Sequence, residues 1–336
     1  MITASPAARQ RESWQQQLAD GIATPAELCS VLQLDPVRAG AADSPFPLRV
    51  PRAFVARMRR GDYDDPLLRQ VLPHAAETRP APGFVADPLH EAAARRAPGL
   101  LQKYRHRALL IATAACGVHC RYCFRREYPY TEDADPGQRW AGALAALAAD
   151  PDIEELILSG GDPLSLSNAR LAELGQRLGA IAHLQRLRIH TRQPVVLPDR
   201  VDAGLCQWLA ELRWRPVIVL HVNHAQEIDA EVVDACARLR ATGATLLNQS
   251  VLLAGVNDSA AALAALSRAL DGAGVLPYYL HLLDPVRGAA HFDVPARRAR
   301  ALHAQLLAEL PGYLVPRLVR ERPGADSKSP VDGDLD

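Results

Sequence analysis

Short apolar runs alternate with helical patterns over the last two thirds of this 336-residue chain. Runs of this length, separated by helices, are typical of parallel strands joined by right-handed crossovers. We therefore predict an α/β fold with six parallel strands, for which a partial barrel and a doubly wound sheet both remain open. The runs are ALLIAT (108–113), LILSGG (156–161), LRIHTR (187–192), VIVLHVN (217–223), LLNQSVL (246–252) and PYYLHLL (277–283).

The first 100 residues follow a different pattern, in which Pro and Gly interrupt helical segments. We expect one helix near Trp14, a second that begins at TPAE (24–27) and a helical run from Pro51 to Leu72. The predicted organisation has three parts: an N-terminal helical region (1–100), an α/β core (101–310) and a C-terminal segment (311–336).

Polar residues lie at the ends of five of the predicted strands, in SGGD, HTRQP, HVNH, NQS and HLLDP. Any one of these groups could simply cap a helix or form a turn. In parallel α/β folds, however, ligands bind at the carboxyl ends of the strands, where the loops converge. Five polar strand ends together therefore predict a shared site.

Charge and composition limit the classes of function. The formal net charge is zero at pH 7, so no overall basic field favours nucleic acid or an anionic membrane as a partner. No apolar run has the length of a membrane span, and the N-terminus shows no signal-peptide pattern. We therefore expect a cytoplasmic protein. Its six cysteines are too few for a disulfide scaffold, and reduced thiols indicate metal or redox chemistry instead.

Three of the cysteines lie in CGVHCRYC, directly after the first predicted strand. Cys116, Cys120 and Cys123 have the spacing C-x3-C-x2-C. Three thiolates on one loop can hold three irons of a 4Fe–4S cluster, which leaves the fourth iron for a small-molecule ligand. A zinc site normally needs four ligands, and although His119 lies inside the loop, no fourth donor follows at regular spacing. We therefore predict a cluster. The other three cysteines fit small core residues: Cys29, Cys206 and Cys236.

Lysine is rare in this chain, because Lys103 and Lys328 are the only lysines among 38 basic residues counted as Lys plus Arg. An arginine serves equally well for surface charge, but its guanidinium stays protonated and cannot form a Schiff base as a lysine amine can. Lys328, in PGADSKSP, is therefore either a stray surface lysine or a reactive amine.

The cysteine loop resembles that of the radical S-adenosylmethionine enzymes, and the chain from about residue 46 onward resembles the lysine 2,3-aminomutase family. The resemblance implies a partial TIM barrel, (β/α)6, with a helical N-terminal region and a tail that carries a cofactor lysine. It also implies three cofactors: a 4Fe–4S cluster, S-adenosyl-L-methionine and pyridoxal 5′-phosphate. The matching pieces are CRYCFRR, SGGDPL, TRQPVVLP, HVNH, NQSVLLAGVND, PYYLHLLD and the terminal lysine segment.

Roles around pyridoxal phosphate follow from this resemblance. Lys328 occupies the position of the family's Schiff-base lysine, just after a Pro-Gly turn. Lys103 and Arg107 match the two cations that hold the cofactor phosphate, and charge-assisted hydrogen bonds suit both side chains. The polar end of the fifth predicted strand falls around the same cofactor, with helix capping as the alternative: Asn248, Gln249 and Ser250.

The resemblance also implies where S-adenosylmethionine binds. Gly160, Gly161 and Asp162 match a segment that lies against the amino group of this cofactor, where glycine allows close approach of the backbone. Arg192 and His221 would project from strand ends toward the same region, with a purely structural hydrogen-bonding role as the alternative.

Substrate recognition is the third implied role. Arg125 matches an arginine that grips the substrate carboxylate as a fork. Asp284 and Glu321 match two carboxylates that pair with the side-chain ammonium of lysine, although Asp284 could instead cap the turn before Pro285. Two acids suit one cation and would repel a second carboxylate, so free L-lysine is the predicted substrate.

The implied activity is an isomerisation that moves the 2-amino group of L-lysine to C3 and gives β-lysine. An external electron donor such as flavodoxin or ferredoxin would reduce the cluster. The chain is most similar to the short branch that supplies (R)-β-lysine for modification of elongation factor P. The alternatives are a catabolic or osmolyte-forming lysine 2,3-aminomutase, or a radical enzyme that acts on another amino acid or a macromolecule.

Two departures from the family pattern bear on assembly. Ser259 stands where a cysteine follows GVND, and the chain ends at Asp336 without a cysteine-bearing extension. In the catabolic members these elements form a zinc site between subunits. We therefore expect that any homo-oligomer lacks the zinc-linked tetramer interface.

Overall fold

The computed structural model describes residues 13–42, 44–133 and 140–331. Their centre is one sheet of ten strands, whose order in the sheet is their order in the chain. The strands are β1 (Arg95–Ala97), β2 (Leu100–Tyr104), β3 (Arg107–Thr113), β4 (Glu155–Gly160), β5 (Arg186–Thr191), β6 (Val217–Leu220), β7 (Thr245–Val251), β8 (Leu276–His281), β9 (Arg317–Arg320) and β10 (Ser329–Pro330). Strands β3 to β9 are parallel, whereas β1 and β2 at one edge and β10 at the other pair antiparallel.

Helices precede the sheet and connect its parallel strands. None of those in the described ranges has the length and hydrophobicity that a membrane span requires. The α-helices are α1 (Trp14–Ala19), α2 (Pro25–Leu32), α3 (Arg52–Val55), α4 (Pro66–Arg69), α5 (Tyr130–Asp133), α6 (Ala141–Ala149), α7 (Asn168–Gly179), α8 (Gln193–Val196), α9 (Ala203–Glu211), α10 (Ala230–Ala241), α11 (Ala260–Gly272) and α12 (Ala296–Glu309). Short 3-10 segments are Ala75–Thr78, Pro163–Ser165, Pro198–Arg200, Ala225–Glu227, Ala290–Phe292 and Gly312–Leu314.

The six predicted strands are confirmed as β3 to β8, with small differences at their ends. A further parallel strand, β9, lies in the C-terminal segment and pairs with β8. Its run LVPRLVR is short and carries two arginines. The pattern of a buried strand is therefore weak there, and the sequence analysis underestimates the number of parallel strands by one.

The sheet curves into a partial barrel rather than a flat doubly wound layer. Lys103 lies on β2 near one end of the sheet, and Glu321 follows β9 near the other end, yet Lys103 Nζ and Glu321 Oε1 are 3.1 Å apart. Lys328, just before β10, also contacts Glu321, with Nζ 2.9 Å from Oε2. Because only a curved sheet brings strands from opposite ends together, the partial barrel is confirmed.

Alternation along the strands separates the core from the barrel interior. On β4, Leu156 and Leu158 are buried against the outer helices, whereas Ile157 and Ser159 face the interior. Successive residues of a strand point to opposite faces, so one run serves both purposes. Each fully buried leucine contributes about 1.5–3 kcal/mol relative to an exposed one. Helix α7 covers the outer face of the sheet with Leu171, Leu174 and Leu178.

The N-terminal helices pack as a separate apolar cluster beside the barrel. As predicted, α1 begins near Trp14, after a capping box at Ser13, and α2 follows the N-cap Thr24. The predicted helical run from Pro51 to Leu72 contains two one-turn helices, α3 and α4, with turns between them. Gly61, at φ +73°, has a left-handed conformation that favours glycine and lies in the turns between the two helices.

Candidate active site

A cavity of about 280 Å³ lies inside the barrel, where the carboxyl ends of the parallel strands meet. The polar strand ends therefore share one site, as their positions in the sequence indicate. Most predicted site residues line it: Lys103, Arg107, Cys116, Cys120, Cys123, Arg125, Gly160, Gly161, Asp162, Arg192, His221, Gln249, Asp284, Glu321 and Lys328.

Two of the residues predicted to surround pyridoxal phosphate do not face this cavity. Asn248 and Ser250 point to the outer face of β7, where Ser250 Oγ donates to the carbonyl of Val222 and Asn248 Nδ2 donates to both Ser250 Oγ and that carbonyl. Gln249 lies between them and faces inward. Because side chains alternate along a strand, the prediction is wrong for Asn248 and Ser250, and Gln249 alone remains a candidate.

Two glycines fix the start of the cysteine loop. The Gly161 N–H donates to the carbonyl of Thr113 at 2.7 Å, and the Asp162 N–H donates to the carbonyl of Ala115 at 2.8 Å. A Cβ at Gly161 would lie 2.4 Å from the Ala115 oxygen, and Gly160 has φ +111°. A side chain at either position would therefore push the loop away from β4. The two glycines thus hold the cysteine loop beside the cavity, independently of any contact with S-adenosylmethionine.

The three thiols of the loop all line the cavity. Burial, followed by the neighbouring Cys120, raises the pKa of Cys123 to about 11, and burial with Cys123 as the next cause raises the pKa of Cys116 well above its usual value. Cys116 and Cys123 are thus poor thiolates without added positive charge. Iron supplies that charge, and the donor set fits a 4Fe–4S cluster.

Arg192 joins the loop to the barrel. Its Nη1 donates to Cys120 Sγ and to the hydroxyl of Tyr122, both at 2.8 Å, and its Nη2 donates to Gln70 at 2.6 Å and Glu227 at 2.9 Å. These contacts use most of the guanidinium donors, so Arg192 binds the chain itself. The position predicted to lie near S-adenosylmethionine thus has a clear structural function, the alternative that the sequence left open.

Asp162 has a similar structural function. Its carboxylate accepts hydrogen bonds from Thr191 Oγ1 and the Arg192 N–H, each at 2.7 Å. It also accepts from the backbone N–H groups of Leu164 and Gln193, each at 3.0 Å. Four donors around one buried carboxylate connect the end of β4 to the end of β5, so Asp162 orients the two loops that border the cysteines.

Three histidines line the cavity with unpartnered nitrogens. Within the described residues, Nε2 of His190, His221 and His281 is buried and has no hydrogen-bond partner. Burial lowers the pKa of all three, that of His221 to about 4, with the charge of Lys328 among the further causes. Neutral imidazoles without partners in a buried cavity fit the polar groups of a bound ligand.

Charged side chains alternate in sign across the other side of the cavity. Glu321 contacts both lysines, and Lys103 also contacts Glu91 Oε1 at 3.1 Å. Glu91 in turn forms a two-pronged ion pair with Arg125, at 2.7 and 2.8 Å. Although burial opposes it, Lys328 and then Lys103 lower the pKa of Glu321 to about 2. These contacts form one continuous series of ion pairs, in the order Lys328, Glu321, Lys103, Glu91 and Arg125.

Asp284 is the exception among these charges. Its carboxylate lines the cavity but makes no ion pair or hydrogen bond with any side chain in the described part of the chain. Burial, followed by the nearby Glu321, raises the pKa of Asp284 to about 7. A half-buried carboxylate beside a second acid is stabilised by a cation, which a ligand can supply.

Several residues that line the cavity were not predicted from the sequence. Glu91 lies in PLHEAAA, a segment without strand or helix periodicity, and its role depends on a contact with Arg125 that only the fold creates. His190 and His281 lie in the apolar runs LRIHTR and PYYLHLL. A histidine inside a buried strand was a usable signal. Tyr130 also lines the cavity, and its hydroxyl donates to the Gly160 carbonyl at 3.0 Å.

Known proteins are similar to this chain over the sequence that forms the site. A family model described as a 4Fe-4S single cluster domain matches residues 105–186, which include the cysteine loop. The chain is 50% identical to the L-lysine 2,3-aminomutase of Escherichia coli (strain K12) over 96% of its length and 95% of the relative. It is 45% identical to the Haemophilus influenzae enzyme of that name, over 98% of each chain. Against that of Clostridium subterminale it is 35% identical, over 83% of this chain and 67% of the relative.

The curved parallel sheet and the three-cysteine loop at its carboxyl end define an iron–sulfur enzyme of the radical S-adenosylmethionine class. Identities of this size over nearly whole chains narrow the class further. The chain belongs to the L-lysine 2,3-aminomutase family of isomerases. The family predicted from the sequence pieces is thereby confirmed.

Proposed function

We propose that this enzyme converts L-lysine to β-lysine by moving the 2-amino group to C3, with pyridoxal phosphate and a radical derived from S-adenosylmethionine. The observation that carries the proposal is the Asp284 carboxylate, which has no side-chain partner among the described residues and lies in the same cavity as Arg125, the two lysines and the cysteine loop. Lysine has one carboxylate and a distant ammonium group. The cavity offers a cation and an anion for these two ends.

The residues present fit the three cofactors of the proposal. Bound at this site, the cluster and S-adenosylmethionine supply a carbon radical, and pyridoxal phosphate supplies the carbonyl that holds the migrating amine. Cys116, Cys120 and Cys123 would hold the cluster. Lys328 is the amine for covalent attachment of pyridoxal phosphate, because Lys103 lies on β2, beside Arg107 of the adjacent strand, where both suit the phosphate group.

Arg125 can bind a substrate carboxylate without losing its present partners. Nε and Nη2 form the edge that contacts Glu91, and Nη1 donates to Ser159 Oγ at 2.9 Å. A guanidinium has five N–H donors in a planar fork, so donors on Nη1 and Nη2 remain for a second carboxylate. Arg125 would thereby orient the α-carbon end of the substrate.

The other end of the substrate would meet Asp284 and Glu321. Asp284 lacks a cation in the described structure, and Glu321 is shared between Lys103 and Lys328. Attachment of pyridoxal phosphate to Lys328 would weaken the hold of that lysine on Glu321. A glutamate-like substrate would place a carboxylate against these two acids, and the repulsion would be strong in a buried site.

We further propose that the product is (R)-β-lysine, used to modify elongation factor P. Support comes from the branch that the sequence pieces resemble and from identity, which is 50% and 45% with the Escherichia coli and Haemophilus influenzae relatives but 35% with that of Clostridium subterminale. Ser259, in place of a cysteine, also fits a protein without the zinc-linked interface. A small acidic electron carrier such as flavodoxin or ferredoxin would supply the electron.

The test is turnover under anaerobic reduction. Protein with reconstituted iron and sulfide, S-adenosylmethionine and pyridoxal phosphate is given L-lysine, and the product is resolved by chiral chromatography. We expect (R)-β-lysine. The (S) product would contradict the elongation factor P branch, and rapid conversion of L-glutamate with none of lysine would contradict the substrate assignment.

A further inference from the structure

Glu91 is a buried carboxylate to which neither the family resemblance nor the proposed function gives a role. It lies in the segment before β1, where the Asp87 carboxylate accepts from the N–H groups of Glu91 and Ala92 at 2.9 and 3.2 Å. Its side chain is 3% exposed. The turn at Asp87 thus fixes the backbone of Glu91, and the side chain points into the barrel.

Both oxygens of Glu91 are used, and they serve two different cations. Oε2 accepts from Arg125 Nε, and Oε1 accepts from Arg125 Nη2 and lies 3.1 Å from Lys103 Nζ. Arg125 and Lys103 are the two residues that the proposed function gives to two separate ligands, the substrate carboxylate and the cofactor phosphate. One carboxylate therefore contacts both anion sites.

The geometry sets what Glu91 does to each cation. A two-pronged contact on the Nε edge fixes the plane of the Arg125 guanidinium, and Ser159 fixes its rotation from the other side. Lys103 has a single donor atom and a flexible stem, so the same carboxylate gives it charge neutralisation without a fixed orientation. Glu91 thus orients Arg125, whereas it only neutralises Lys103.

We propose that Glu91 is a positioning residue for the isomerisation, which aims the free end of the Arg125 fork at the substrate carboxylate and weakens phosphate binding at Lys103. This inference rests on the proposed function. Its two parts have opposite signs: removal of the charge impairs turnover of lysine but strengthens binding of pyridoxal phosphate. A residue that only stabilised the fold would affect both in the same direction.

The test compares Glu91→Gln with the parent full-length protein. We expect kcat to fall about 100-fold with little change in KM, because a fork displaced by a fraction of an ångström still attracts the carboxylate but holds it wrongly. Pyridoxal phosphate, titrated by absorbance without S-adenosylmethionine or substrate, should bind about threefold to tenfold more tightly. Pyridoxal, which lacks the phosphate, should bind both proteins equally.

Two further variants separate charge from position. Glu91→Asp keeps the charge but shortens the side chain by one methylene, so pyridoxal phosphate should bind as in the parent while kcat stays reduced. Glu154→Gln is the matched control, because Glu154 pairs with the exposed Arg186 away from the cavity. It should leave both measurements unchanged.

Several outcomes would overturn the inference. If Glu91→Gln has the same kcat as the parent, Glu91 does not position Arg125. If it binds pyridoxal phosphate no more tightly than the parent, Glu91 does not weaken phosphate binding at Lys103. Weaker binding of both pyridoxal phosphate and pyridoxal, with a lower melting temperature, would make Glu91 a fold-stabilising residue only. Failure of the parent itself to isomerise lysine would refute the proposed function, whereas the comparison of the two cofactor forms would still decide the effect at Lys103.

Discussion

The two sides of the cavity are built differently. On the cysteine side, Arg192 and Asp162 have their hydrogen bonds made by the chain itself, and the loop is anchored to β4 by backbone contacts. On the lysine side, the cations are held by carboxylates, and Asp284 pairs with no side chain of the residues that the structure describes. The first side is organised before any ligand binds. Under the proposed function, the second side would exchange its internal ion pairs for contacts with the ligands.

The largest expected effect is on the cysteine side. Cys120→Ala should remove most of the iron and all turnover, because two thiolates cannot retain the cluster. Iron content after anaerobic reconstitution and β-lysine formation are the measurements. Cys206→Ala is the control, since this thiol packs at the edge of the main core away from the cavity, and it should keep both. A Cys120→Ala protein with full iron content and activity would contradict the assignment of the cluster to this loop.

Lys328→Ala should abolish turnover while the cysteine side stays intact. Borohydride reduction of the parent with pyridoxal phosphate should fix the label on the peptide around Lys328, and the variant should take up none. Iron content and reductive cleavage of S-adenosylmethionine should persist, because the hydrogen bonds that Arg192 makes on the cysteine side are all to residues outside the tail.

Lys103→Ala is the contrast to this variant. It should still be labelled at high pyridoxal phosphate, with affinity weaker by about 1.5–3 kcal/mol through the lost phosphate contact. Since the sequence contains no third lysine, peptide mapping gives one of two answers. Label on the Lys103 peptide alone would reverse the assignment.

Asp284→Asn should raise KM for lysine about tenfold to 100-fold, because the substrate ammonium loses a buried counterion. The pKa of Asp284 is raised to about 7, so in the parent this carboxyl is neutral below that pH and ionised above it. KM of the parent should therefore rise as the pH falls through about 7, whereas KM of the variant should change little. Steady-state kinetics at several pH values checks this, and equal pH profiles would exclude Asp284 from substrate binding.

The smallest effect distinguishes the two faces of β7. Gln249→Ala should weaken pyridoxal phosphate binding by about 0.5–1.5 kcal/mol, the usual value of one hydrogen bond. Ser250→Ala should leave that affinity unchanged but lower the free energy of unfolding by a similar amount, because its hydroxyl bonds the Val222 carbonyl on the outer face. Cofactor titration and thermal melts measure both. Weaker cofactor binding in Ser250→Ala, with unchanged binding in Gln249→Ala, would show that Ser250 rather than Gln249 faces the cavity.

The sequence predicts the parts of this molecule that depend on local pattern. Alternating apolar runs gave β3 to β8, and the spacing of three cysteines identified the loop that lines the cavity. The features that could not be predicted depend on contacts between residues far apart in the sequence. Glu91 meets Arg125 only because the segment before β1 returns to the barrel, and the direction of Asn248 depends on which face of β7 is inside.

The tail that carries Lys328 joins the sheet through its shortest strand. Strand β10 has two residues, paired with Arg320 and Val319, and the seam between the tail and β2 is bridged by the side chain of Glu321. The position of Lys328 in the cavity therefore depends on this short pairing and on Glu321. Under the proposed function, loss of the β9–β10 pairing would carry Lys328 away from the cavity and leave the enzyme without the amine that attaches its cofactor.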